Sequence, residues 1–216
     1  DNDYVQVTGG SGFIAPGASS TMVSVLVNGD SAVEVNESLT VTISNASLPS
    51  FPLGIVTILD PTATGTISND DAVPAGALVI SEFRLSGPNG INDEFIEIAN
   101  TTSSPITVAT TDLSSGFSVA QSIGGAPVFT IPNGTVIPAR GHLLAVNTNG
   151  YSLANYGGIN AATANRTWTT NIADDTGLAL FATSNAVAYG VPTLLDAVVF
   201  TCQVSTLYAE GPTGLA

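Results

Sequence analysis

The acidic side chains of one turn are the residues best suited to chemistry in this chain. Asp30, Glu34 and Glu37 stand close together directly before a strictly alternating segment. No Lys or Arg precedes Arg84, so these carboxylates have no cation nearby in the sequence. Carboxylates gathered without a counter-ion repel one another unless they bind a metal ion, and calcium prefers oxygen ligands of this kind. The turn therefore predicts either a calcium site or a solvated acidic loop.

A strand must hold these acids in place. Leu39, Val41 and Ile43 alternate along residues 38–44 with the hydroxyl side chains of Ser and Thr. Because successive side chains of a strand point to opposite faces, this period of two predicts a half-buried strand directly after the acidic turn.

The composition excludes several classes of function. The chain has 216 residues, of which 44% are apolar, so one large or two small packed domains are possible. Seventeen acidic residues against three Arg and no Lys give a net charge of -14. A surface of this sign repels nucleic acids and anionic lipids and attracts cations. No apolar run is long enough to span a membrane.

Short alternating apolar segments separated by Gly, Pro, Asn and Asp continue to the end of the chain. They predict an all-β protein built from sandwich modules. The one helical candidate is the short segment 153–156. The predicted strands are 21–27, 38–44, 77–83, 94–100, 142–147, 176–183 and 194–200, with shorter ones near 11–14 and 64–68.

A boundary is expected at residues 69–76, where paired acids precede a stretch of small residues and Pro. We therefore divide the chain into a first module at 1–71, a linker at 72–76 and a second module at 77–216.

The first module resembles the Calx-beta domain family, an immunoglobulin-like β-sandwich that binds calcium at one end. The resemblance rests on Asp3-Tyr4, on GFIAPG at 12–17, on GDSAVEVNESLTVTISN at 29–45 and on GTISNDD at 65–71. It implies a calcium site, and the implied ligands are Asp3, Asp30, Glu34, Glu37, Asp70 and Asp71. The sequence departs from the family at Gly29, where a second acid is common, and it lacks the family's opening strands.

The second module resembles the lamin tail domain, which also has an immunoglobulin-like fold. The resemblance rests on LVISEFRLSGPNGINDEFIEIAN at 78–100, on IPNGTVIPARGHLLAVN at 131–147 and on DDTGLALFATSNAVAYGVPTLLDAVVF at 174–200. The segment from Tyr208 to Gly211 closes the pattern. The resemblance supplies no metal role for the acids of this module.

A second acidic group comprises Glu82, Asp93, Glu94 and Glu97. A structural role is favoured over metal binding: Glu82 is expected to pair with Arg84 or Arg140, or to accept backbone N–H groups of a loop. His142 is expected at the start of a strand without a catalytic role. Cys202 is expected in the core.

Catalysis is not predicted, because a single His and a single Cys occur without a recognisable nucleophile motif. Three aromatic residues are expected in loops, either as a platform for a sugar or partner protein or as a plug for the sandwich end. They are Tyr151, Tyr156 and Trp168.

The pairing of these two modules resembles bacterial secreted and surface proteins, so we predict an extracellular location. The first hypothesis is a non-catalytic, calcium-stabilised structural or adhesive protein that self-associates, with a neighbouring copy completing the first module as in a filament or matrix. The alternatives are an accessory region of a secreted nuclease or phosphatase, and a carbohydrate-binding module. A catalytic domain in the parent gene would distinguish the first alternative, and loss of glycan binding in Trp168→Ala would support the second.

Overall fold

A computed structural model describes residues 3–48, 56–153, 163–199 and 206–209. In these ranges the regular structure consists of strands and short 3-10 helices, so the predicted all-β class is confirmed. The 3-10 helices are Ala186–Ala188, Val191–Thr193 and Thr206–Tyr208. In chain order the strands are β1 (Glu37–Thr42), β2 (Thr62–Ile67), β3 (Leu78–Arg84), β4 (Phe95–Asn100), β5 (Ile106–Thr107), β6 (Gly116–Gln121), β7 (Pro127–Pro132), β8 (Val136–Ile137), β9 (His142–Asn147), β10 (Arg166–Trp168), β11 (Gly177–Phe181) and β12 (Leu194–Val199).

The chain divides into two compact units. The first unit comprises Asp1–Ala32 and Asn36–Ser68, and the second comprises Val33–Val35 and Asn69–Ala216. The short segment 33–35 is part of the second unit because Val33 packs against its core and the Glu34 backbone N–H donates to Asn69 Oδ1 over 3.1 Å.

In its described residues the first unit has one antiparallel sheet of two strands, in which β1 pairs with β2. Along β1 the side chains of Leu39 and Val41 are half-buried and those of Thr40 and Thr42 are exposed, which confirms the predicted alternation. The strand ends at Thr42, and Ile43 is 51% exposed.

The predicted strands at 21–27 and near 11–14 are wrong. Residues 11–26 form no strand, and the pairing described for 21–27 is an isolated bridge between Val27 and Tyr4, beside which the Val5 N–H donates to the Leu26 backbone oxygen. The physical reason is that no strand of the described ranges runs alongside these residues, since an extended segment needs a partner for its backbone hydrogen bonds. Val23, which the alternation predicts to face inward, is 60% exposed.

The second unit is built from two four-stranded sheets. The first has the order β10-β9-β4-β3, and it is antiparallel except that β10 runs parallel to β9. The second has the order β12-β11-β6-β7 and is antiparallel throughout. A small ladder of β5 and β8 lies beside them. The predicted strands in this unit are confirmed with shifts of one or two residues at their ends.

Apolar side chains from both sheets form the core of the second unit. Ile96 and Ile98 of β4 are fully buried, as are Phe117 of β6 and Leu178 and Leu180 of β11. These residues alternate with the outward-facing residues of their strands, which is the pattern of two sheets packed face to face.

The outer face of the sheet β12-β11-β6-β7 is covered by the chain itself. Phe181 lies on this face, with Tyr189 stacked on it at 4.2 Å between ring centroids and Tyr208 edge-on at 5.8 Å. A Cβ at Gly177 would lie 2.6 Å from the backbone oxygen of Tyr208. The absence of a side chain at this position therefore allows the segment 206–208 to reach the sheet.

Several sequence-based expectations meet the structure only in part. Within the proposed linker 72–76, Val73 is 5% exposed and belongs to the core of the second unit. Cys202, Tyr156, most of the helical candidate at 153–156 and the closing residues 210–211 lie outside the described residues. No helix in the described part of the chain is long and apolar enough to cross a membrane.

Candidate functional site

Two of the predicted calcium ligands meet in the first unit. The bridge between Tyr4 and Val27 brings the start of the chain beside the acidic turn, and the Asn28 N–H donates to the backbone oxygen of Asp3 over 2.8 Å. As a result, a carboxylate oxygen of Asp3 lies within 4.8 Å of one from Asp30. Asp30 Oδ1 also accepts the Ala32 N–H at 2.6 Å, which fixes the turn.

The other predicted ligands belong to other segments of the chain. Glu37 begins β1 opposite Ile67 of β2. Glu34, Asp70 and Asp71 belong to the second unit, where the side chain of Asn69 donates to the backbone oxygen of Asp71 over 2.8 Å. Within the first unit the structure therefore brings Asp3 and Asp30 together and leaves Glu37 on its strand.

The chemistry available to the Asp3 and Asp30 carboxylates is that of a hard cation site. The first unit contains no Lys or Arg, so both side chains offer oxygen atoms without a neighbouring base. Calcium takes six to eight oxygen ligands, several of them carboxylates. The pair thus fits part of a calcium coordination shell.

Asp93, of the second acidic group, is the anchor of a loop. Its carboxylate is fully buried and forms an ion pair with Arg84 Nη2, while Arg84 Nε donates to the Asp93 backbone oxygen over 2.7 Å. The Asp93 carboxylate also accepts hydrogen bonds from the backbone N–H groups of Asn89 at 3.2 Å and Ser152 at 3.1 Å. The Arg84 guanidinium lies 5.2 Å from the centroid of the Phe95 ring. Asp93 therefore holds two loops at the end of the sandwich.

Glu94 ties a further loop to the same strand edge. Its Oε2 accepts from Asn147 Nδ2 at 2.6 Å and its Oε1 accepts the Ile172 N–H at 2.8 Å. The side chain is fully buried, and this burial raises the pKa of the Glu94 carboxyl, although the hydrogen bonds from Asn147 and Ile172 oppose the shift. The indole of Trp168 also faces this carboxyl group, without a hydrogen bond of ordinary geometry from its Nε1.

Glu97 forms a smaller cluster on the outer face of the sheet. Its Oε1 accepts from Ser81 Oγ at 2.8 Å and contacts His142 Nδ1 at 2.7 Å. His142 begins β9, as the sequence predicts. The hydroxyl and the imidazole both contact the carboxylate rather than each other, so this group lacks the order of a Ser-His-acid triad.

The structural interpretation of the second acidic group holds for these three acids, but the residues involved differ from those expected. The expected pairings centred on Glu82, whereas the contacts described for Arg84 are with Asp93, and Arg140 donates to the Thr101 backbone oxygen. The sequence carried no signal for Asn147, because it pairs with a residue more than fifty positions away.

The prediction of a loop platform is wrong for Trp168. This residue lies in β10, is 5% exposed and stacks on Phe129 with 5.5 Å between ring centroids. Its indole is part of the core, because a large apolar ring on a short edge strand gains more from burial than from solvent. Tyr151 lies in a loop as expected, and it packs edge-on against Phe95 at 6.1 Å. Trp168 therefore presents no open platform for a sugar.

Comparison with known proteins identifies the second unit. A family model described as the Lamin Tail Domain matches residues 71–191, more than half of the chain. This family consists of non-catalytic immunoglobulin-like domains. No curated protein sequence matches the chain.

Proposed function

The chain belongs to the lamin tail domain family, and on that premise we propose that it is a non-catalytic structural or adhesive protein that acts outside the cell and associates with itself. The observation that carries this proposal is the exposure of the first unit. Every buried apolar residue in the described ranges lies at or beyond Val73. In the first unit Phe13, Met22 and Leu26 are 66%, 93% and 66% exposed.

The sheet of the first unit supports completion by a neighbouring copy. An isolated pair of strands is marginally stable in water, and its outer edges offer unpaired backbone groups. The segment 21–27 carries alternating apolar residues of strand type. One copy thus offers both a sheet edge and a strand, and head-to-tail exchange of the strand propagates a filament.

Light scattering of the full chain over a range of concentrations tests this association. We expect molar mass to rise with concentration. Val41→Asp places a charge on the half-buried side of β1 and should reduce this rise in molar mass. Thr40→Asp places the same charge on the exposed side of β1 and is the matched control. A monomer at all concentrations, or equal effects of the two variants, contradicts the proposal.

Calcium is part of the proposal because it relieves the repulsion between Asp3 and Asp30. The resemblance to a Calx-beta domain extends the ligand set to Glu34, Glu37, Asp70 and Asp71 as a proposal. Binding to the folded state stabilises it by mass action. Thermal melts with millimolar calcium and with EDTA test the idea, and identical melting temperatures refute it.

We also propose that the chain does not catalyse hydrolysis. The proposal is supported by the family and by the arrangement of Ser81, Glu97 and His142. Assays with DNA and a phosphomonoester in calcium test it. Turnover that Asp70→Asn abolishes would overturn the proposal.

A further inference from the structure

Four Asn-Gly pairs occur in the chain, and all of them lie in the described ranges. The asparagines are Asn28, Asn89, Asn133 and Asn149. An asparagine that precedes a glycine is prone to lose its side-chain amide, because glycine carries no side chain to hinder attack of its backbone nitrogen on the asparagine side chain. These pairs are therefore four places at which the chain could modify itself, and the structure distinguishes them.

The three Asn-Gly pairs of the second unit are held at the nitrogen that would attack. Each glycine N–H donates to a backbone oxygen: Gly90 to Gly87 over 2.9 Å, Gly134 to Val108 over 2.8 Å and Gly150 to Asn147 over 3.4 Å. Attack on the asparagine side chain requires this hydrogen bond to break first, so the bond slows the reaction.

The asparagine side chains of these three pairs are held as well. Asn89 Nδ2 donates to Asp93 Oδ2 over 3.0 Å. Asn133 Nδ2 donates to the Ser114 backbone oxygen over 2.8 Å, and Asn149 Nδ2 donates to the Thr169 backbone oxygen over 2.7 Å. Because the side-chain carbon must approach the next backbone nitrogen, these contacts also oppose the reaction.

The pair of Asn28 and Gly29 in the first unit differs at the attacking nitrogen. The Gly29 N–H donates no hydrogen bond to any described residue. Gly29 is exposed, and a Cβ built on it would meet no atom within 4 Å. Its nitrogen can therefore approach the Asn28 side chain without breaking a backbone hydrogen bond or displacing a neighbour.

We infer that Asn28 is a self-modification site, at which the side-chain amide is converted to a carboxylate. The Gly29 nitrogen attacks Asn28 Cγ, and the new C–N bond closes a succinimide ring. The Cγ–Nδ2 bond breaks, and the amide nitrogen leaves as ammonia with the proton of the Gly29 N–H. Water then opens the ring at one of its two carbonyl carbons. The product is aspartate or isoaspartate, and either one carries a new carboxylate without the need for an oxidant or an enzyme.

The new carboxylate changes the acidic turn of the first unit. The Asn28 N–H donates to the Asp3 backbone oxygen over 2.8 Å, and Asp30 follows two residues later. A further carboxylate in this turn adds repulsion when no cation is bound and an oxygen ligand when calcium is bound. This consequence rests on the proposed calcium site, whereas the modification itself does not.

The test incubates the folded full chain in water labelled with heavy oxygen and then digests it with chymotrypsin in ordinary water. Mass spectrometry of the peptides measures the label at each asparagine. We expect label at Asn28 to accumulate about tenfold faster than at the other three sites, because each of those must first lose a hydrogen bond. In urea this difference in hydrogen bonding is removed, and the four rates should become similar. Equal rates in the folded chain, or no label at Asn28, overturn the inference.

Variants of the pair provide the controls. Gly29→Ala fits the open space around this position and should slow the labelling of Asn28, because the added methyl group hinders attack by the nitrogen. Labelling of Asn28 at an unchanged rate in Gly29→Ala would contradict attack by this nitrogen and overturn the inference.

Thermal melts in calcium separate the modification from the proposed calcium site. Asn28→Asp introduces the carboxylate directly and should increase the calcium-induced rise in melting temperature above that of the freshly purified wild-type chain. Asn28→Gln keeps an amide and should match the wild-type rise. No calcium-induced rise in any of these chains refutes calcium binding but leaves the labelling result in support of the modification. A wild-type rise that Asn28→Asp does not increase overturns the consequence for the cation site.

Discussion

Removal of the Arg84 side-chain charge should destabilise the second unit more than any other single loss of a base. Arg84 is the counter-ion of Asp93, whose carboxylate is fully buried, and the Arg84 side chain is itself only 15% exposed. The substitution Arg84→Met keeps most of the length of the side chain and leaves the carboxylate with amide donors from Asn89 and Ser152. The buried charge then has no cation.

The magnitude follows from these contacts. Loss of one partner of a buried ion pair costs about 3–5 kcal/mol. The guanidinium also lies 5.2 Å from the Phe95 ring centroid and 5.6 Å from that of Tyr151, and each contact contributes about 0.5–1 kcal/mol. The remaining amide donors offset part of this loss, so the net cost is about 3–5 kcal/mol. For a unit of this size that corresponds to a fall in melting temperature of about 6–20 °C.

The chain provides a selective probe for this measurement. Trp168 is the only tryptophan, and it lies in the core of the second unit. Its fluorescence during thermal or urea unfolding therefore reports that unit alone. Arg140→Met is the matched control, because Arg140 is exposed and forms no ion pair described in the structure. Its expected cost is below about 1 kcal/mol.

An intermediate variant strengthens the test. Arg84→Lys keeps the positive charge but loses the planar, forked donor geometry. The expected order of stability is wild type, then Arg84→Lys, then Arg84→Met. Equal melting temperatures for Arg84→Met and Arg140→Met would refute the reasoning, because the buried ion pair would then contribute nothing.

Three further predictions concern other sites. Because burial raises the pKa of Glu94, the folded chain binds a proton at this carboxyl group at a higher pH than the unfolded chain does. The free energy of unfolding should therefore increase as pH falls through the folded pKa toward 4.5. Denaturation of Glu94→Gln at a series of pH values should not show this increase. Gly177→Ala should lower the free energy of unfolding by about 1–3 kcal/mol, because its Cβ would clash with Tyr208. Gly190→Ala is the matched control and should leave stability nearly unchanged. Equal urea midpoints for the two variants would contradict this prediction. Asp30→Asn should remove any rise in melting temperature that calcium produces in the wild-type chain.

The sequence by itself determined the all-β class and five of the ten strands described in the second unit. Strands such as β9 and β4 could be predicted because apolar residues alternate between Gly, Pro and Asn turns, and this local pattern is enough to define a half-buried strand. The same alternation led to a wrong prediction where no neighbouring strand pairs with the segment. The segment 21–27 has the same alternation but forms no strand, since pairing depends on what lies beside it and not on the segment alone.

The approach of Asp3 to Asp30 could be predicted from the sequence only in part. The acids of the turn at 30–37 are visible in the sequence, and so is the absence of any base before Arg84. The meeting of Asp3 with Asp30 needed the Tyr4–Val27 bridge, which pairs residues far apart in the chain. Composition indicates that carboxylates are available, but only backbone pairing decides which of them converge.

Tertiary structure alone decided the roles of the buried polar groups. Asp93 and Glu94 are adjacent in sequence and look like any solvated acid pair, yet one holds Arg84 and the other holds Asn147 and Ile172. The same applies to Trp168, whose place in the core depends on Phe129 of another strand. Alternation is a local property that one strand carries by itself. The partner of a buried charge or ring comes from distant parts of the chain, and only the packing of the two sheets brings them together.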